Sequence, residues 1–93
     1  MAVKEIKKDI VVKNKTGLHA RPAALFVQIA NKYDSEITII KGEQAVNGKS
    51  IMGILMLAAE KGARISIIAK GEDAEDAIKE LTQILLNDID KIK

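Results

Sequence analysis

Aliphatic residues recur along this chain with two alternating periods, and that alternation sharply limits the folds open to it. From Ile6 to Val12 the period is two, with Ile6, Lys8, Ile10 and Val12 on one face and β-branched residues at the end. Asn14, Thr16 and Gly17 then break the strand. Helical spacing follows. Leu25 and Ile29 lie four apart, as do Phe26 and Ala30, with Tyr33 three further on. Pro22 is admissible only in a first turn, where its missing N–H costs nothing. This helix is expected to end near Tyr33–Asp34. Glu36 to Lys41 returns to period two, Lys41-Gly42-Glu43 is a short turn, and Gln44 to Asn47 can pair back as a hairpin. Ser50 is a candidate N-cap for a short apolar helix over Ile51 to Ala59, closed by Lys61-Gly62. Arg64 to Lys70 reads as a fourth strand with Ile65, Ile67 and Ala69 on one face. In the last helix Glu72, Asp73, Glu75 and Asp76 suit the positive end of the dipole, and Ala74, Ala77, Ile78, Leu81, Ile84 and Leu85 form the apolar stripe.

The order is therefore β-α-β-β-α-β-α. It predicts an α+β open-faced β-sandwich, a four-stranded antiparallel sheet with three helices on one face. The 93 residues suit a single domain over 1–93. Aromatics make up only 2%, so aliphatic side chains must build the core. With Phe26 and Tyr33 the only rings and a net charge of +2, nucleic-acid binding by stacking or charge is not expected. The stretch Ile51 to Ala59 is too short to span a bilayer, and Met1 to Asp9 has no apolar signal core, so no membrane role and a cytoplasmic location are expected.

The chemistry concentrates in Thr16-Gly17-Leu18-His19-Ala20-Arg21-Pro22. His19 falls between a glycine-containing loop and the first turn of a helix, where it should be exposed. The N–H groups of Ala20 and Arg21 are helix-terminal donors, and such a terminus favours anions. Arg21 adds a permanent cation whose fork of donors matches a phosphate. A nucleophilic imidazole in these surroundings can accept a phosphoryl group and stabilise the transferred charge. A histidine at a helix start is by itself an ordinary surface residue or cap; Gly17, Arg21 and Pro22 together weaken that reading. One histidine and no cysteine make a metal site improbable. No glycine-rich nucleotide loop is present, and no cofactor is expected.

Gly17-Leu18-His19-Ala20-Arg21-Pro22-Ala23 resembles the active-site signature of the HPr family, the histidine-containing phosphocarriers of the bacterial phosphoenolpyruvate:sugar phosphotransferase system. Asn47-Gly48-Lys49-Ser50-Ile51-Met52-Gly53 is similar to the serine site of that family, and the resemblance runs along nearly the whole chain. It implies that enzyme I, charged by phosphoenolpyruvate, phosphorylates Nδ1 of His19, and that the group passes to sugar-specific IIA domains. Arg21 would steady the phosphate, and the N–H groups of Ala20 and Arg21 would bind it. Partners would dock on Ala24, Ile51, Met52 and Leu55, with Ile54 and Ala58 turned inward.

The run Lys49 to Gly53 reproduces the pattern associated with ATP-dependent phosphorylation of Ser50 by an HPr kinase/phosphorylase. The added charge should slow His19 phosphorylation, and the modified form would serve a catabolite control protein. The family reading implies a monomeric carrier that is not itself an enzyme. Two other readings share the fold. One is a carrier of a nitrogen-related or dihydroxyacetone-phosphorylating branch. The other is a regulatory module acting through Ser50, whose known relatives lack the histidine. Gly48 replaces an expected larger residue, which predicts a looser turn before Ser50. The last helix is expected to continue to Asp88-Ile89-Asp90, ahead of a basic Lys91-Ile92-Lys93 tail.

Overall fold

The computed structural model describes residues 4–15 and 17–87; the expectations for Thr16 and for 88–93 lie outside them. Seven elements follow in the order β1 (Glu5–Val11), α1 (Ala20–Ala30), β2 (Glu36–Lys41), β3 (Gln44–Asn47), α2 (Ile51–Leu57), β4 (Arg64–Lys70) and α3 (Ala74–Leu86). The strands form one antiparallel sheet in the order β1-β4-β2-β3. The expected open-faced α+β sandwich is what the chain forms. Gly42, at φ +61°, sits first in the two-residue turn joining β2 and β3, where a type II′ hairpin turn favours glycine.

Period two decides which side of the sheet is covered. Ile10 of β1, Ile37 and Ile39 of β2, and Ile65, Ile67 and Ala69 of β4 are buried, while Lys7, Asp9, Arg64 and Lys70 face outward. The buried side carries the helices: α3 packs on β1 and β4, α2 on β3, and α1 on both other helices. Phe26, Ile39, Ile54, Leu57, Ile67, Leu81, Ile84 and Leu85 lie fully inside. On α1 the buried line is Ala23, Phe26 and Ala30, with Leu25 and Ile29 half-buried beside it.

Two helices stop earlier than their sequences suggest. α1 ends at Ala30 and not at Tyr33–Asp34. The Asn31 side chain donates to the Val27 carbonyl, and the N–H groups of Lys32 and Tyr33 reach back only three residues, to Ile29 and Ala30. α2 ends at Leu57 and not at Ala59, because Ala58 turns left-handed at φ 50° and ψ 44°. Lys41 Nζ then binds the freed carbonyls of Leu57 (3.1 Å) and Ala58 (3.3 Å). Ala58, expected to face inward with Ile54, is exposed, and Ala59 is buried in its place.

The loops around α3 are held by carboxylates. Asp73 precedes α3 but does not cap it; its carboxylate accepts the N–H groups of Asp34 (2.9 Å) and Ser35 (3.0 Å) and the Ser35 hydroxyl. The Ser35 hydroxyl, followed by the Asp34 amide, holds the Asp73 carboxyl below its ordinary range. Glu80 accepts from the Tyr33 phenol and from Lys32. That bond pushes the Tyr33 pKa up to about 12, and burial adds to the shift. The same phenol, followed by Lys32, lowers the Glu80 carboxyl.

Candidate functional site

His19 is reached through a loop fastened mainly by backbone groups. Beyond β1, Val12 N–H donates to Ala63 O (2.9 Å), and the N–H groups of Lys13 and Asn14 donate to Leu85 O near the end of α3. The buried Asn14 side chain donates from Nδ2 to Gly17 O (2.8 Å), while Gly17 N–H returns to Asn14 O (3.2 Å). Gly17 takes φ +64°, and a Cβ there would lie 2.5 Å from Ala59 O and 2.8 Å from Glu60 Cα. Only glycine fits this approach. Leu18 N–H then donates to Ala59 O (2.8 Å), and its side chain is buried.

This bracing delivers His19, extended at φ −85° and ψ −167°, as the exposed N-cap of α1. Its side chain makes no capping bond, so the imidazole is not committed to the helix. Intrahelical bonding starts with Ala23 N–H on His19 O (2.8 Å), which puts the amides of Ala20 and Arg21 ahead of it in the first turn. Arg21 is exposed on that turn, and Pro22 lies in it as its ring requires.

Ser50 caps α2 as its sequence predicts, its Oγ accepting Gly53 N–H at 3.1 Å. The turn before it is tight. Gly48 N–H donates to Ile37 O (2.7 Å), and a Cβ on Gly48 would meet the Ile37 side chain at 2.5 Å. The expected looseness at Gly48 is therefore corrected: the residue permits close packing that a larger one would prevent. Asn47 Oδ1 accepts Lys49 N–H, and Lys49 Nζ donates to Tyr33 O (2.6 Å).

Ser50 lies at one end of α2, and the Ala59 carbonyl that braces Leu18 lies just beyond the other. α2 spans about 10 Å between Ser50 and the segment bracing Leu18. Its outward face carries Ile51, Met52 and Leu55, while Ala24 on α1 is half-buried. Met56 belongs to the same face and is as exposed as Met52, at 65%. Its place four residues after Met52 was the available signal, as was the short Asn14–Gly17 spacing for the loop tether.

A family model described as "PTS HPr component phosphorylation site" matches residues 6–87. The chain belongs to the HPr family. It is 51% identical to the HPr-like protein Crh of Halalkalibacterium halodurans over 82% of this chain and 90% of that protein. The crystal structure of the phosphocarrier protein HPr from Bacillus anthracis superposes with a TM-score of 0.84 at 47% identity, covering 87% of this chain and 96% of that one. An HPr dimer from Thermoanaerobacter tengcongensis gives a TM-score of 0.68 at 53% identity, over 81% and 86%. Among the described residues of this HPr-family chain, no helix is long and apolar enough to cross a membrane.

Proposed function

We propose that this protein is a phosphocarrier of the sugar phosphotransferase system, taking a phosphoryl group from enzyme I on His19 and passing it to IIA domains. The observation that carries this reading is the exposed His19 at the start of α1, its imidazole uncommitted and the first-turn amides of Ala20 and Arg21 beside it. His19 Nδ1 attacks phosphorus, and the bond from phosphorus to the donor group of enzyme I breaks, leaving enzyme I unphosphorylated. Helix-terminal N–H groups and the Arg21 guanidinium stabilise the charge on the phosphoryl oxygens. The protein turns over no free substrate and acts as a cytoplasmic transfer component.

Ala24, Ile51, Met52 and Leu55 form the surface on which both partners dock. One apolar surface serving successive partners suits flexible side chains such as Met52. The transfer unit is a monomer, since His19 and this surface belong to one chain. Sedimentation equilibrium tests that point, and a stable dimer like that of the Thermoanaerobacter relative would overturn it.

The test of the carrier is direct. Enzyme I and labelled phosphoenolpyruvate should transfer acid-labile label to the wild type and none to His19→Ala. Absence of label, or label on the variant, sinks the reading. A second role is supported by the likeness to Crh proteins and by the geometry at Ser50. Phosphorylation of Ser50 by HPr kinase/phosphorylase adds nearly two negative charges beside Ile51 and Met52 and slows transfer to His19. The modified form would bind a catabolite control protein. With ATP and that kinase, the wild type should be labelled and Ser50→Ala should not.

A further inference from the structure

The chain has three methionines, Met1, Met52 and Met56, and neither cysteine nor tryptophan. Its most readily oxidised side chains are therefore thioethers. Two of them share one surface. Met52 and Met56 stand four residues apart on α2, each 65% exposed, with Ile51 and Leu55 beside them. Among the described residues the core holds no methionine at all; Ile, Leu, Val, Ala and Phe26 fill it. Oxygen added to these sulfurs changes the surface without opening a cavity or burying a polar group.

We propose that Met52 and Met56 are a paired oxidation site through which peroxide reversibly closes the docking face. Hydrogen peroxide is the oxidant. The thioether sulfur attacks one peroxide oxygen, the O–O bond breaks, and the sulfur becomes a sulfoxide as water leaves. Each sulfur loses two electrons and the peroxide gains them. Return requires a sulfoxide reductase, with a dithiol oxidised to a disulfide as the oxygen leaves as water. A sulfoxide is polar and chiral, so the face loses the adaptable apolar contact its partners need. His19, held on a different element, keeps its chemistry. The proposal rests on the carrier reading, because it concerns docking by the phosphoryl donor.

The experiment treats folded wild-type protein with dilute hydrogen peroxide and maps the added oxygen by peptide mass spectrometry. Phosphoryl acceptance is then measured from enzyme I and, separately, from phosphoramidate, a small donor with no surface to dock. With both sulfurs oxidised, the rate from enzyme I should fall about tenfold, equivalent to about 1.4 kcal/mol. The phosphoramidate rate should stay within about twofold, since about 0.4 kcal/mol separates such rates. A sulfoxide reductase with dithiothreitol should restore transfer. The Met52→Leu/Met56→Leu variant, whatever its own starting rate from enzyme I, should show no change in that rate on peroxide treatment.

Sulfoxides at both positions with unchanged transfer from enzyme I overturn the proposal. So does a variant that loses transfer on peroxide treatment as the wild type does, or a folded protein whose two sulfurs resist peroxide. If the untreated protein accepts nothing from enzyme I, the carrier reading fails and this proposal falls with it. Indifference to sulfoxidation in a competent carrier removes this proposal alone.

Discussion

Ala58 holds a left-handed backbone that an L-side chain adopts at a cost of about 1–2 kcal/mol. Glycine would remove that cost while adding about 0.5–1 kcal/mol of unfolded-state entropy. Ala58→Gly should therefore stabilise the protein by about 1 kcal/mol, raising the thermal midpoint by about 4–8 °C in a chain of this size. A calorimetric scan checks it, and an unchanged or lower midpoint rejects it. Gly17 is the opposite case, because it already is the residue its backbone needs, and Ala59 O leaves no room for a methyl group. Gly17→Ala should cost about 1–3 kcal/mol in urea unfolding and slow phosphoryl acceptance at His19, because the loop must move away from Ala59. Equal rates for variant and wild type would show that the brace does not position the histidine.

At the level of elements, the strands were legible and the helix ends were not. Alternation over Glu36–Lys41 and Arg64–Lys70 reports which side of each strand is buried, so the pattern carries its own limits. Helix ends depend on who takes the last carbonyls. Lys41 takes those of Leu57 and Ala58 from sixteen and seventeen residues away, and no local pattern announces it. The same holds for Asp73, whose place before α3 suggests a cap while its carboxylate serves the segment entering β2. That bridge and Glu80 fix a pH dependence. Both carboxyls are lowered by their partners, so their stabilisation is complete above the unfolded values and is lost as pH falls below about 4. Asp73→Asn should be less stable at neutral pH and show a shallower acid decline in thermal melts; an unaltered slope would refute the assignment. Tyr33 works in the other direction. Its raised pKa gives a contribution present below about 10 that disappears as pH rises to about 12.

For the molecule as a whole, one ring stands at the centre of an otherwise aliphatic interior. Phe26 is fully buried and comes from α1, the helix that presents His19. Phe26→Ala should cost about 3–5 kcal/mol, a large share of the 5–15 kcal/mol on the order of which such domains are stable. Denaturant midpoints check the loss; a change below about 1 kcal/mol would mean that the interior collapses around the gap. The site was legible to the extent that it is written in one segment: Gly17, His19, Arg21 and Pro22 lie within six residues. What stayed hidden is the support from Ala59, Leu85 and Ile37, which only the folded chain brings near. Main-chain groups from those positions carry most of that support. Apart from the missing side chain at Gly17 and the Asn14 tether, the brace asks little of residue identity, so the outward side chains of α2 can be exchanged for others without disturbing the path of the loop that carries His19.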